Sequence, residues 1–265
     1  EYDLVLDAQG LLKSAWVARK VAKKNMIPLA GYDWSSIREP LASLCYTQKQ
    51  SVSKDLHAIE RIRQLFCKTL GYDLESHAPI VYGLDTTTWH SPSVLPDAFQ
   101  AGVYWVFLHG TTWESKYWPE AYWVDLLARA NAVGRHVVLP WGNEEERLRA
   151  LRIAETSEQG MAWVPEQPLS LNTVAQLLKY AQGVVSVDTG LSHVAAALDV
   201  PMVVMYRVTD PKLVGADGSQ VIRLASPCAP DYLKQFPDKK TEAQSLEGLS
   251  VENVFQNLMR LMRLR

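Results

Sequence analysis

The stretch Val187-Asp188-Thr189-Gly190-Leu191-Ser192-His193-Val194-Ala195 sets an acid beside a Thr-Gly turn and a histidine. It follows the apolar run Gly183-Val184-Val185-Ser186 and leads into an alanine-rich segment ending at Leu198. That order reads as strand, tight loop and helix. A helix opening just after Thr189-Gly190 offers unpaired backbone N–H groups and the positive end of its dipole, which suit a phosphate. Asp188 has the wrong charge for a phosphate and suits the hydroxyls of a sugar. One loop can therefore hold a diphosphate and the sugar attached to it. Plainer roles compete: Asp188 as a helix cap, Gly190 as a turn requirement and His193 as a structural histidine.

Two further loops carry polar groups, Thr111-Thr112 with Lys116 and Trp141-Gly142 with Glu144. The elements that must position these loops alternate short apolar runs with amphipathic stretches. This predicts an α/β fold with mostly parallel strands. Strands are expected at 2–8, 103–108, 136–140, 183–187 and 202–206. Helices are expected at 56–70, from Pro119 to Gly134, and at 144–155, 171–181 and 250–264. Leu56, Ile59, Ile62, Phe66 and Leu70 would form one apolar face, with His57, Arg61 and Lys68 opposite. Residues 103–206 thus supply four strands, each followed by a polar loop, and ligands of open α/β sheets bind at such carboxyl ends. The irregular segment 82–102, with Thr86-Thr87-Thr88, Pro92, Pro96 and Gly102, is the best linker.

The 265 residues suffice for one large or two smaller domains. A net charge of -2 and a pI near 6.3 exclude a globally basic nucleic-acid binder, though not a local basic patch. No apolar run has membrane-spanning length, and no signal peptide is read. Cys45, Cys67 and Cys228 are far apart and form no metal-ligand spacing, which points to a reduced, cytoplasmic setting. No metal constellation emerges, and no cofactor is expected. The chain opens on Glu1 within an apparent strand, so an N-terminal portion is expected to precede it.

The motifs together resemble the glycosyltransferase family that contains the lipopolysaccharide heptosyltransferases. The carrying residues are Asp7-Ala8-Gln9-Gly10-Leu11-Leu12-Lys13-Ser14-Ala15 and Arg38-Glu39-Pro40-Leu41-Ala42-Ser43-Leu44. With them come Phe107-Leu108-His109-Gly110-Thr111-Thr112, Lys116, Trp118-Pro119, Leu139-Pro140-Trp141-Gly142, Glu144-Glu145-Glu146-Arg147 and the Val187–His193 loop. The resemblance covers essentially the whole chain.

It implies a GT-B architecture, two Rossmann-like domains facing a cleft, with the N-terminal one incomplete. Residues 1–98 would form part of an acceptor-binding domain plus linker, and residues 99–265 an ADP-heptose-binding domain with a terminal helix. The implied reaction moves L-glycero-D-manno-heptose from ADP-heptose to the Kdo of Kdo2-lipid A, with inversion, in inner-core biosynthesis. Lys116 would meet the donor diphosphate, with Thr111 and Thr112 beside it. Asp188 would contact the heptose, and Thr189 and Gly190 would give N–H groups to the phosphates, with His193 holding the loop. Glu144 would bind the ribose hydroxyls; the segment before it is short, so Glu145 is the alternative register. Leu169 would form the wall at the adenine. Lys13, Arg38, His57 and Arg61 would line the anionic acceptor. The general base would lie in the expected N-terminal portion, and no metal is required. The protein would sit in the cytoplasm, peripheral at the inner face of the inner membrane.

Three other readings remain open. The chain could bind ADP-heptose without transferring it. It could be a relative using a different core acceptor, although the Arg38–Leu44 motif favours the Kdo acceptor. A nicotinamide-dependent dehydrogenase is disfavoured, because no G-x-G-x-x-G follows a strand. The basic end Arg260, Arg263 and Arg265 suits the C-terminus of a helix.

Overall fold

The computed structural model describes residues 2–74, 79–99 and 101–263. Leu264 and Arg265, the expected end of the last helix and its final cation, lie outside them. The chain divides into two compact units, residues 1–79 with 212–214 and residues 80–211 with 215–265.

The first unit holds β1 (Val5–Asp7), α1 (Leu12–Asn25), β2 (Leu29–Tyr32), β3 (Gln48–Gln50) and α2 (Ala58–Leu70). The strands form a parallel sheet in the order β1-β2-β3. Asp7, at the carboxyl end of β1, is buried and heavily engaged. It accepts from the Tyr46 hydroxyl at 2.8 Å, the Ser14 hydroxyl at 2.9 Å and the backbone N–H of Gln9 at 3.0 Å. Tyr46 lies against Gly31, where a Cβ would stand 2.4 Å from the ring. Only a glycine lets ring and strand approach so closely.

Two expectations for α2 change. It starts at Ala58, because His57 is the cap: its Nδ1 accepts from the N–H of Ile59 at 3.3 Å. Its core contact is Leu65, which is fully buried, whereas Ile62, Phe66 and Leu70 are exposed. The apolar stripe read from spacing is thus wider than the strip this small sheet covers.

The second unit is a doubly wound parallel sheet. Its elements are β4 (Tyr104–Leu108), α3 (Glu120–Ala132), β5 (His136–Val138), α4 (Glu144–Ala154), β6 (Ala162–Trp163), α5 (Leu171–Tyr180), β7 (Gly183–Val187), α6 (Gly190–Ala197), β8 (Met202–Tyr206), α7 (Pro211–Val214, of which residues 212–214 count with the first unit), β9 (Val221–Ala225), α8 (Lys239–Gln244) and α9 (Val251–Arg263). The strand order is β6-β5-β4-β7-β8-β9, with every pair parallel. β6 and β9 escaped the sequence reading. The first is too short to show a period, and the second is only half-buried.

β4 is buried along its whole length, as a central parallel strand must be when helices cover both faces. Tyr104, Val106 and Leu108 point into the core under α5 and α6, while Trp105 and Phe107 point under α3 and α9. Gly183 of β7 lies against α9, where a Cβ would stand 3.0 Å from Leu258. The expected linker does more than connect. The Tyr82 hydroxyl donates to the Asp217 carbonyl at 2.7 Å, and Trp89, Leu95 and Phe99 pack on the core of the second unit.

Candidate functional site

The order β6-β5-β4-β7-β8-β9 places a topological switch point between β4 and β7, where the connections leave in opposite directions. A crevice opens at the carboxyl ends of such a strand pair and is the usual ligand site of this sheet type. Thr111 follows β4 and Asp188 follows β7, so the sequence places both at its mouth. The Thr111 hydroxyl donates to the Asp188 carbonyl at 2.9 Å, tying the two loops together. Lys116 ends a 3-10 turn, Glu114–Lys116, and its Nζ lies 2.6 Å from Oδ2 of Asp188. The same Oδ2 accepts from the Thr209 hydroxyl at 2.6 Å. The side chains of Lys116 and Asp188 are 15% and 11% exposed, so water screens the pair only in part. Lys116 Nζ also stands 4.6 Å from the centre of the Trp113 ring.

Asp188 is not the cap of α6. That position belongs to Thr189, in extended backbone at φ -145, and no side chain caps the helix. Nor does conformation demand Gly190. Its φ lies outside the left-handed region, and a Cβ there would meet nothing within 4 Å. A side chain at position 190 would therefore point into open space. The N–H and hydroxyl of Ser192 both donate to the Thr189 carbonyl, at 3.1 and 2.6 Å, which locks the first turn of α6. His193, one turn further on, is exposed.

A cavity of about 230 Å3 adjoins these groups, lined by Leu108, Gly110, Trp141, Glu146, Leu169 and Leu191 among others, with Thr189 at its edge. The Trp141 indole donates to the Pro165 carbonyl at 2.7 Å, which fixes one wall. Leu169 lines another wall. Glu144 does not reach the cavity. It is exposed and paired with Arg147 at 2.8 Å. Glu145 is also exposed and faces Arg149 at 3.5 Å.

The acid at the cavity is Glu146. Asn143 caps α4 by accepting from the N–H of Glu146 at 2.9 Å, and the Glu146 carboxylate turns back to accept from Gly142 N–H at 2.8 Å. A Cβ on Gly110 would stand 2.4 Å from that carboxylate, so the acid rests on bare backbone. The signal for Glu146 was the S/T/N-x-x-E spacing of a capping box, which begins at Asn143. Thr112 is exposed and borders a different hollow, with Glu120 and Arg149. Thr209 had no signal beyond its place just past β8.

His109, directly after β4, is fully buried. Burial first, and then the nearby Arg149 cation, pushes its pKa down to about 4, so it is neutral at ordinary pH. Among the described residues, no three His, Cys, Asp or Glu side chains gather where they could hold a metal ion.

The four cationic candidates of the first unit divide into two kinds. Lys13 and Arg38 are exposed. Arg61 is committed, donating to the Ser36 carbonyl at 2.6 Å and lying over the Tyr32 ring, while His57 caps its helix. The pair therefore does not form an ordinary solvated helix face. At the other end of the chain, Arg260 and Arg263 fall in the last turn of α9, as the dipole favours.

The six-stranded parallel sheet, with a cation and an acid at its switch point, is a doubly wound α/β fold. The glycosyltransferase family 9 (heptosyltransferase) model matches residues 1–241. The chain belongs to that family. A lipopolysaccharide heptosyltransferase 1 from Pseudomonas aeruginosa is 47% identical over 244 residues, covering 91% of this chain and 65% of that protein. One from Escherichia coli is 44% identical over 227 residues, covering 85% and 67%. The solved structure of E. coli heptosyltransferase WaaC with ADP superimposes with a TM-score of 0.79 at 36% identity, covering 98% of this chain and 73% of that one. The α/β architecture with its parallel sheets is therefore that of the GT-B heptosyltransferase structures. The chain spans about two thirds of the length of the curated relatives it matches.

Proposed function

We propose that this chain serves ADP-heptose-dependent heptosyl transfer to the Kdo of Kdo2-lipid A. The observation that carries the reading is the convergence of Lys116, Thr111 and Asp188 at the β4–β7 switch point, beside the first turn of α6. The N–H groups of α6 and the Lys116 ammonium suit a diphosphate. Asp188 suits heptose hydroxyls. Trp141, Leu169 and Leu191 suit an adenine face, and Glu146, which lines the cavity where Glu144 and Glu145 do not, suits the ribose hydroxyls. The matched WaaC structure was solved with ADP, which supports the same nucleotide here.

The reaction is a displacement. A deprotonated Kdo hydroxyl bonds to the anomeric carbon as the bond to the ADP oxygen breaks, and ADP leaves with the electron pair. Lys116 and the α6 dipole stabilise the charge that grows on ADP, and no metal is needed for that task. In the first unit, the exposed Lys13 and Arg38 suit an anionic acceptor. No helix among the described residues is long and apolar enough to cross a membrane. A lipid acceptor and a nucleotide-sugar donor would meet at the cytoplasmic face of the inner membrane, and the proposal puts the protein there.

The test is incubation of the chain with ADP-heptose and Kdo2-lipid A, following ADP release and the mass of the lipid. Heptose on the lipid supports the proposal. Absence of both donor binding and transfer would refute it. A second reading is donor binding without transfer. Binding without turnover would select it.

A further inference from the structure

We infer that Thr209 is a positioning residue for the diphosphate lysine, acting through Asp188; the inference rests on the proposed donor site. Thr209 is 3% exposed, and its hydroxyl donates to Oδ2 of Asp188 at 2.6 Å, the oxygen that also meets Lys116 Nζ at 2.6 Å. Three consecutive strand ends of the sheet are thereby linked, with Lys116 beyond β4, Asp188 beyond β7 and Thr209 beyond β8.

A carboxylate can swing about its last torsion, which is broad for aspartate. One donor on Oδ2 leaves that swing open. A second, charged donor arriving from another strand fixes the carboxylate plane. Thr209 anchors Oδ2 from the buried side, so Lys116 is held on the remaining side of that oxygen. Neither contact uses Oδ1, which is left for a sugar hydroxyl. The buried hydroxyl thus sets where the cation stands, although it touches neither nucleotide nor sugar.

The experiment compares AMP and ADP binding by calorimetry in the wild-type chain, Lys116→Ala, Thr209→Val and Thr209→Ser. The two nucleotides differ in the β-phosphate, which is the group the lysine would meet. Thr209→Val keeps the shape and removes the hydroxyl. It is expected to lose about tenfold in ADP affinity, the worth of one hydrogen bond to a charged group, and to keep AMP affinity within about twofold. Thr209→Ser is expected to restore ADP binding. Wild-type ADP affinity in Thr209→Val would overturn the inference, and so would failure of serine to rescue. An equal loss of AMP and ADP in Thr209→Val would also overturn it, since that marks a collapsed site. If Lys116→Ala itself keeps the full preference for ADP over AMP, the donor-site proposal fails, and the inference fails with it.

Discussion

Lys116 and Asp188 meet at 2.6 Å although they lie far apart in the sequence, and each sits where a different strand of one parallel sheet ends. The contact exists because β4 and β7 are neighbours across the switch point, paired from Trp105 with Gly183 to Leu108 with Ser186. The ion pair is local chemistry produced by topology. On the proposed function, it sets a cation where a leaving diphosphate would need one, beside an acid able to orient a sugar.

Replacing that cation tests its role. Lys116→Ala is expected to lower kcat/KM by about 10²-fold, the scale of removing one preorganised charge stabiliser. Folding should suffer far less, because Asp188 keeps Thr209 as a partner. Steady-state kinetics beside a thermal melt decide this. Unchanged kcat/KM would remove Lys116 from the chemistry.

The acids at the start of α4 make a sharper comparison. Glu146→Ala should weaken both AMP and ADP by about tenfold, since a hydrogen-bonded carboxylate leaves the cavity wall. Glu144→Ala should change binding by less than about twofold, because its exposed pair with Arg147 is worth under ~1 kcal/mol. Equal losses in the two variants would mean that the register of this helix start differs in the bound state.

His109 sets a pH dependence of stability. Its folded pKa, near 4, lies below the ordinary histidine value of 6.5. Between those values the unfolded chain binds a proton that the folded chain refuses. Stability is therefore complete above 6.5 and falls as pH drops toward 4, by at most about 1.4 kcal/mol per pH unit. Urea unfolding of wild type and His109→Gln across that range checks this. The variant should show the shallower slope, and parallel slopes would mean that His109 titrates alike in both states.

In the first unit the test is steric. Gly31→Ala would drive a Cβ to 2.4 Å from the Tyr46 ring, which is buried and hydrogen-bonded to Asp7. Overpacking of this kind costs about 1–3 kcal/mol. The variant should unfold at lower urea, and an unchanged midpoint would mean that the ring moves away freely.

Strands buried on both faces, such as Tyr104–Leu108 and Gly183–Val187, were legible because a short, continuous apolar run between polar loops must be covered on both sides. The short strands Ala162–Trp163 and Gln48–Gln50 were not, because the first is two residues long and the second is a polar run with no apolar pattern to read. Asp188, Lys116 and Thr111 could be named from their loops, but their mutual contact needed the strand order. The sequence points to Glu144, with Glu145 as the alternative register, because it shows which residues open a helix and not which way each one turns. Thr209 was invisible for a related reason, since a threonine after a strand gains meaning only from what lies across the sheet.

The central claim is that the β4–β7 crevice holds an ADP-sugar, and calorimetric titration of ADP-heptose into the wild-type chain and Lys116→Ala tests it most directly. Saturable binding is expected in the wild type, weakened by about tenfold in the variant, as for loss of a charge-assisted phosphate contact. Absence of binding to the wild type, or equal affinity in the two proteins, would contradict it.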